Sequence, residues 1–457
     1  MTPNTDASYT ARYYTSNRDS RVNKGGDNKL GKDNVDELSN FFKISHKFNN
    51  YWKAEGQLYI SDYKSKSIEH IFETGELDSE GFLNHNFLRP EFKIYFTPNK
   101  NHTAILGFGT TSEKINRDDT GNNSLNAQFV YGQYDATFGK LNVILGARYD
   151  NTKDFSSQFS PKLAASYQIS NEVKIQGSIG RGFKAPDVRQ LFFDWPRSND
   201  HILGYNAVLG AFEQYQNDIA QVFVPASEFT GTLKPERSVS YNLGLTYNPN
   251  RRFSADINFF RNNIKDMIVS QVVAVLNDGY RLRASNNVSS AYTQGVEVNT
   301  RIKVSNNLRF NLGYQYLDAV DNDALNAFKN GEVTTIVNGE EITLTERDYK
   351  GMFDRSKHMF TAKLFYELPQ YGLDMNIRAS LKSDYGYEDN DTNENGYYDA
   401  YDVSINGLGL VDYAINKKLG KSFVLGAGVD NIFDYTDPLN NQFVGGRIFY
   451  TKLNYSF

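Results

Sequence analysis

The stretch DTNENGYYDAYD, residues 391–402, spaces its oxygens as a calcium loop does. Asp391, Asn393 and Asn395 stand at positions 1, 3 and 5 of twelve, and Gly396 stands at the sharp turn. Tyr397 would offer its carbonyl at position 7. Asp399 holds position 9, and Asp402 stands at 12 in place of the usual bidentate Glu. Calcium needs several oxygens from one tight loop, and this spacing supplies them. Asp is shorter than Glu and no flanking helices are expected, so the expectation is weak binding. The plainer reading is a solvated Asn/Asp/Gly-rich turn.

A second candidate is LFFDWPRSNDHILGY, residues 191–205. Phe193, Trp195 and Tyr205 could stack on a flat ligand, and His201 carries an imidazole among them. The alternative is that these rings pack against neighbouring segments. Catalytic patterns find no support. The GKS at 420–422 lacks the glycine of a phosphate loop, because Ile415 stands there. There is no HExxH and no GxSxG. The expectation is a protein that is not an enzyme.

The elements that must position these residues announce themselves by alternation. Val296, Val298, Thr300, Ile302 and Val304 share one parity; Glu297, Asn299, Arg301 and Lys303 share the other. After a short SNN turn, Leu308, Phe310, Leu312, Tyr314 and Tyr316 repeat the pattern. The C-terminal stretch alternates too, with Phe449, Thr451, Leu453, Tyr455 and Phe457 on one face. About 18 such segments can be counted, many about 10 residues or longer. Short connections (248–251, 305–307, 419–422) contrast with long polar ones near 65–87, 187–232, 319–355 and 384–402. Aromatic residues recur at strand ends.

Composition agrees. The 457 residues are only 39 % hydrophobic, yet hold 31 Tyr, 32 Phe and 35 Gly. The mean hydropathy of −0.57 and the lack of any long apolar run exclude membrane-spanning helices. A strand whose every second residue faces water stays modest in hydropathy while crossing a bilayer. With no cysteine there are no disulfides or thiolate metal sites. A net charge of −5 argues against nucleic acid as a partner. The predicted fold is all-β: a transmembrane, antiparallel, up-and-down barrel over residues 1–457, with its apolar face on the lipid bilayer.

Several stretches in order carry a family resemblance: GARYD (146–150), GSIGRGFKAPDVRQLFF from 177, LKPERSVSYNLGLTYNP from 233, AYTQGVEVN (291–299), VDNIFDY (429–435) and the C-terminal strand. Together they resemble the barrel of TonB-dependent outer-membrane receptors. The resemblance implies the outer membrane of a Gram-negative bacterium. It implies import of an iron chelate, haem or siderophore, or a similar large scarce ligand, with energy drawn from the TonB complex through a plug domain. Such barrels have about 22 strands, so the resemblance implies a chain truncated at its N-terminus, without its plug. Phe183, Lys184, Ala185 and Pro186 resemble the FRAP-type box of haem receptors, with Lys184 in place of Arg. Those receptors carry a haem-ligating histidine after the box, which makes His201 the corresponding candidate, with His70, His85 or His102 as a second ligand. Calcium and haem are the cofactor or cargo candidates. Two rival functions remain: a passive porin-like channel closed by pairing 445–457 with residues 8–18, and a surface adhesin anchored by its barrel.

Overall fold

The structure is a computed structural model and describes residues 4–24, 27–196, 200–387, 391–393, 395–437 and 444–456. Eighteen strands form one antiparallel meander. They are β1 (Thr5–Lys24), β2 (Asp27–Lys47), β3 (Trp52–Ile71), β4 (Leu77–Asn99), β5 (His102–Arg117), β6 (Gly121–Phe138), β7 (Leu141–Thr152), β8 (Gln158–Gln168) and β9 (Val173–Lys184). There follow β10 (Glu236–Asn250), β11 (Phe253–Leu276), β12 (Arg281–Lys303), β13 (Leu308–Asp321), β14 (His358–Leu368), β15 (Leu373–Lys382), β16 (Leu408–Leu419), β17 (Phe423–Asp430) and β18 (Ile448–Tyr455). Each pairs with the next in sequence. The strand number matches the alternation count.

Register explains the two faces. Leu145, Leu163, Ile179 and Tyr241 lie side by side across β7–β10, all exposed. On the opposite face the neighbouring row is Gly146, Lys162, Gly180 and Ser240. An apolar row left open to the outside is unfavourable in water and favourable in lipid. Ring pairs Trp52–Phe96, Tyr247–Phe253 and Phe423–Tyr455 gather beside the short turns, as a membrane-interface girdle does.

The strands are longer than a bilayer requires. A tilted strand crosses the hydrocarbon in about 10 residues, whereas β1–β4, β11 and β12 run to 20–24. Their excess projects at the end that carries the long loops. This corrects one expectation. The polar stretch 65–87 is not a loop: Ser65 pairs with Leu83 and Ser67 with Gly81, leaving only residues 72–76 as the turn. Projecting strands are wet on both faces, so polarity there does not mark irregular chain. The pairing of 445–457 with residues 8–18, which the passive-channel alternative would need, is not seen. Among the described residues no ladder joins β18 to β1. Phe457 lies outside the described residues.

Candidate functional site

Two folded units sit on the projecting strands. The first is the excursion 185–235 between β9 and β10. It begins with α1 (Val188–Phe192), where Asp187 accepts from the Gln190 amide while the Gln190 side chain accepts from the Asp187 amide. A second helix, α2 (Val208–Gln214), follows. The chain then returns along the projecting end of β11, where 219–222 pairs with 274–276. Leu191, Leu203, Val208 and Leu233 pack against Val273, Ala274, Leu276 and Leu282 in one buried cluster. That is a hydrophobic core built outside the membrane, and it makes the excursion a domain rather than a flap.

The FKAP and LKPE stretches meet at its base. Lys184, the last residue of β9, lies opposite Glu236 at the start of β10, and its Nζ donates to Glu236 at 3.0 Å. Phe183 pairs with Arg237, whose guanidinium donates to Asp266 at 2.8 Å. Ala185 follows at the start of the connection, and Pro186 and Pro235 are fully buried beside this crossing. The Asn287 side chain accepts from the Lys234 amide and donates to the carbonyls of Lys234 and Asp266. The box residues therefore clamp the loop domain to the wall of β9–β12.

His201 lies on a short strand, Asp200–Leu203, which runs parallel to the projecting end of β12 at Arg281–Ala284. It is 4 % exposed. Nε2 donates to the Asp194 carboxylate at 2.6 Å, and the ring stands edge-on to Tyr215 with centroids 5.9 Å apart. Nδ1, the nitrogen left for a metal, is buried without a hydrogen-bond partner. Phe193 and Tyr205 are buried as well, and the Tyr205 hydroxyl donates to the Glu228 carbonyl at 2.9 Å. Three of the four residues expected to meet a ligand thus form the inside of the loop domain. Trp195 alone is open, at 38 % exposed, edge-on to Phe193.

His85 lies in β4 with its Nε2 3.0 Å from Glu113, and His102 lies at the start of β5, beside a short turn, bonded to the Tyr134 hydroxyl. His70 lies near the end of β3. None of them is brought to His201 by the strand order.

Trp195 instead edges a polar cleft of about 390 Å³ between the projecting ends of β3–β5 and the loop domain. A second cleft of about 410 Å³ adjoins it through Asp118 and Asp119. The Asp119 side chain is 6 % exposed and touches Arg117 Nε at 2.8 Å, yet that oxygen accepts no aligned hydrogen bond. Burial holds its carboxyl above the usual carboxylate range; Asp118 adds to the rise and Arg117 opposes it. A larger concavity of about 890 Å³ is edged by Tyr9, Phe42, Leu58 and Phe92 on the lipid-facing side, which excludes it as a ligand site.

The second unit joins the 322–357 and 383–407 connections. Its helix α3 (Asn322–Asn330) is capped by Asp321 and ended by Gly331 at φ 70. Phe328 is buried between Tyr349 and Tyr397. Burial pushes the Tyr349 hydroxyl up to about 12. The candidate calcium residues fold here into a closed turn. Asp391 accepts from the amides of Asn395 and Gly396. Asp399, with no exposed surface, accepts from the side chains of Asn393 and Asn395 and from the Tyr401 amide. Asp402 accepts from the amides of Asp399 and Thr392. The Asn395 oxygen accepts from the Tyr397 amide. Each named carboxylate here holds N–H groups of the turn itself. Among the described residues no group of three or more His, Asp or Glu is arranged to hold a metal ion.

Below the loops the inner wall is charged. Glu55, 3 % exposed, lies 3.3 Å from Lys43 and 3.2 Å from Lys53, and Glu91 lies 3.2 Å from Arg89 and accepts from the Tyr131 hydroxyl at 2.7 Å. Phe129 lies under the Arg148 guanidinium, 4.0 Å from ring centroid to carbon. Such a wall faces water or protein, not lipid.

The sequence family described as TonB dependent receptor-like, beta-barrel matches residues 2–432. The iron-regulated outer membrane virulence protein of Vibrio cholerae is 24 % identical over 217 residues, covering 45 % of this chain and 29 % of that protein. The ferric enterobactin receptor PirA of Pseudomonas aeruginosa is 24 % identical over 319 residues, covering 68 % and 38 %. The chain therefore spans 29 % and 38 % of the length of these two curated relatives. A solved ferric enterobactin receptor, PfeA, from Pseudomonas aeruginosa superposes with a TM-score of 0.64 at 16 % identity, over 100 % of this chain and 76 % of that one. The transporter YddB from Escherichia coli gives 0.68 at 11 % identity, over 100 % and 67 %. Because the family match runs from β1 through β17 of a barrel with a lipid-facing apolar band, the chain belongs to the TonB-dependent receptor β-barrels, a family of the Gram-negative outer membrane.

Proposed function

We propose that this barrel is the wall and outer surface of a receptor that takes up an iron–siderophore complex, driven by TonB through a plug seated against the charged inner wall. The observation that carries the reading is the one-sided elaboration. Eight connections at one end are short turns, while the other end builds two packed units with their own cores. A passive pore gains nothing from a folded domain over its mouth; a receptor gains a rigid recognition surface. The names of the relatives, an iron-regulated protein and ferric enterobactin receptors, support iron chelates as the cargo class. The enclosure of His201 favours a siderophore over haem.

The test is uptake of radiolabelled ferric siderophores by cells expressing the full-length receptor. Accumulation that stops when the proton gradient is collapsed supports the reading. Gradient-independent uptake together with ion conductance of the purified protein would instead make it a channel. Neither uptake nor conductance, with adhesion intact, would make it an anchor.

A further inference from the structure

Charge is segregated along the barrel axis. The connections at the loop end (25–26, 72–76, 118–120, 153–157, 185–235, 277–280, 322–357, 383–407 and 431–447) hold 28 Asp and Glu against 10 Lys and Arg, a balance of −18. The whole chain carries only −5, so the strands and short turns are net basic by 13. The 383–407 connection has seven acidic residues and no Lys or Arg. From this distribution we infer that the outer end admits a neutral or cationic iron chelate and discriminates against a polyanionic one, an inference that rests on the receptor reading above.

The cleft beside Trp195 gives the bias a place. Glu69, Glu80, Asp118 and Asp119 line it, with Asp194 on its neighbour. Arg117, the cation among its described lining residues, is held against Asp119 at 2.8 Å. The buried Asp119 Oδ1 accepts no aligned hydrogen bond, and Thr120 Oγ1 in the adjoining cleft is buried without a partner. Asp119 Oδ1 is held by Arg117, so Thr120 Oγ1 is the polar atom that an incoming donor could satisfy. A cleft edged by several carboxylates suits a cation through its charge. A polyanion would meet like charge in a partly desolvated cleft. Glu80 also meets Lys66 of β3 at 2.5 Å, and lower on the inner wall Lys43, Lys53 and Arg89 are engaged by Glu55 and Glu91.

The experiment uses the purified full-length receptor and three ferric probes of similar size: a linear trihydroxamate with a free ammonium, its N-acetylated neutral form, and a tris-catecholate. Binding is read by tryptophan fluorescence at about 20 mM and about 500 mM salt, where the screening length falls severalfold. The expected result is at least roughly tenfold tighter binding of the cationic probe than of the tris-catecholate at low salt, shrinking severalfold at high salt. Asp118→Asn should narrow the gap further; salt dependence of the unaltered receptor serves as the second reading if that variant fails to fold. Tightest binding of the tris-catecholate, or a preference unmoved by salt, overturns the charge inference while leaving the receptor reading intact. Binding of none of the three overturns both.

Discussion

Replacing His201 by alanine separates a structural histidine from a ligand. The imidazole is enclosed, edge-on to Tyr215, and bonded through Nε2 to Asp194. Removing a buried ring of this size without full collapse costs about 2 kcal/mol. The lost hydrogen bond adds about 0.5 kcal/mol, discounted because the Asp194 side chain is 64 % exposed and can turn to water. A loss of roughly 2–3 kcal/mol corresponds to about a 30- to 150-fold rise in the open population of the 185–235 unit. Limited proteolysis of the full-length receptor in membrane vesicles, with cleavage sites mapped by mass spectrometry, reads that population. His201→Gln keeps a donor and most of the volume and should show a smaller rise. Haem titration of the unaltered receptor should show no Soret shift that depends on His201. The reasoning is refuted if His201→Ala abolishes a Soret shift and leaves cleavage unchanged.

Three further outcomes follow from other parts of the barrel. Gly107→Val should block assembly, because a Cβ at Gly107 would lie 2.3 Å from the Tyr131 ring, whose hydroxyl is tied to Glu91; loss of the heat-modifiable band on gels would report it. Asp399→Ala leaves the Asn393, Asn395 and Tyr401 donors without their acceptor and should destabilise the 383–407 turn by about 3 kcal/mol. Cleavage there should rise equally in calcium and in chelator, and protection that appears only with calcium would show a metal site instead. Leu425→Arg, on the lipid face opposite Leu453, should cost about 2–4 kcal/mol of membrane stability, measured by urea unfolding in vesicles, whereas Lys452→Gln on the inner face should change little.

The strands were legible because period-2 alternation is a local property. A strand with lipid on one side and water on the other must write that contrast into consecutive residues, as 296–304 and 308–316 do. Where the chain leaves the membrane the contrast disappears, and there the reading failed. Residues 65–70 and 77–83 pair across β3–β4 although polar residues fall on both parities there. Conversely, Val272–Leu276 reads as a short apolar run, and only the structure shows it under the loop domain.

Sequence by itself determined the class of fold, the number of strands, the side of each strand that meets lipid, and the acidity of the long connections. It also placed the calcium-like residues in a single turn. Tertiary structure decided what the rings in 191–205 do. Phe193, Tyr205 and His201 could as well have lined an open surface, because an aromatic residue is equally at home against a ligand or in a core. What settles the matter is that β11 and β12 run past the membrane and present Val273, Leu276 and Leu282 to this excursion, a contact between segments about 70 residues apart in sequence. Burial is a property of such distant pairings, and no local pattern of residues records it.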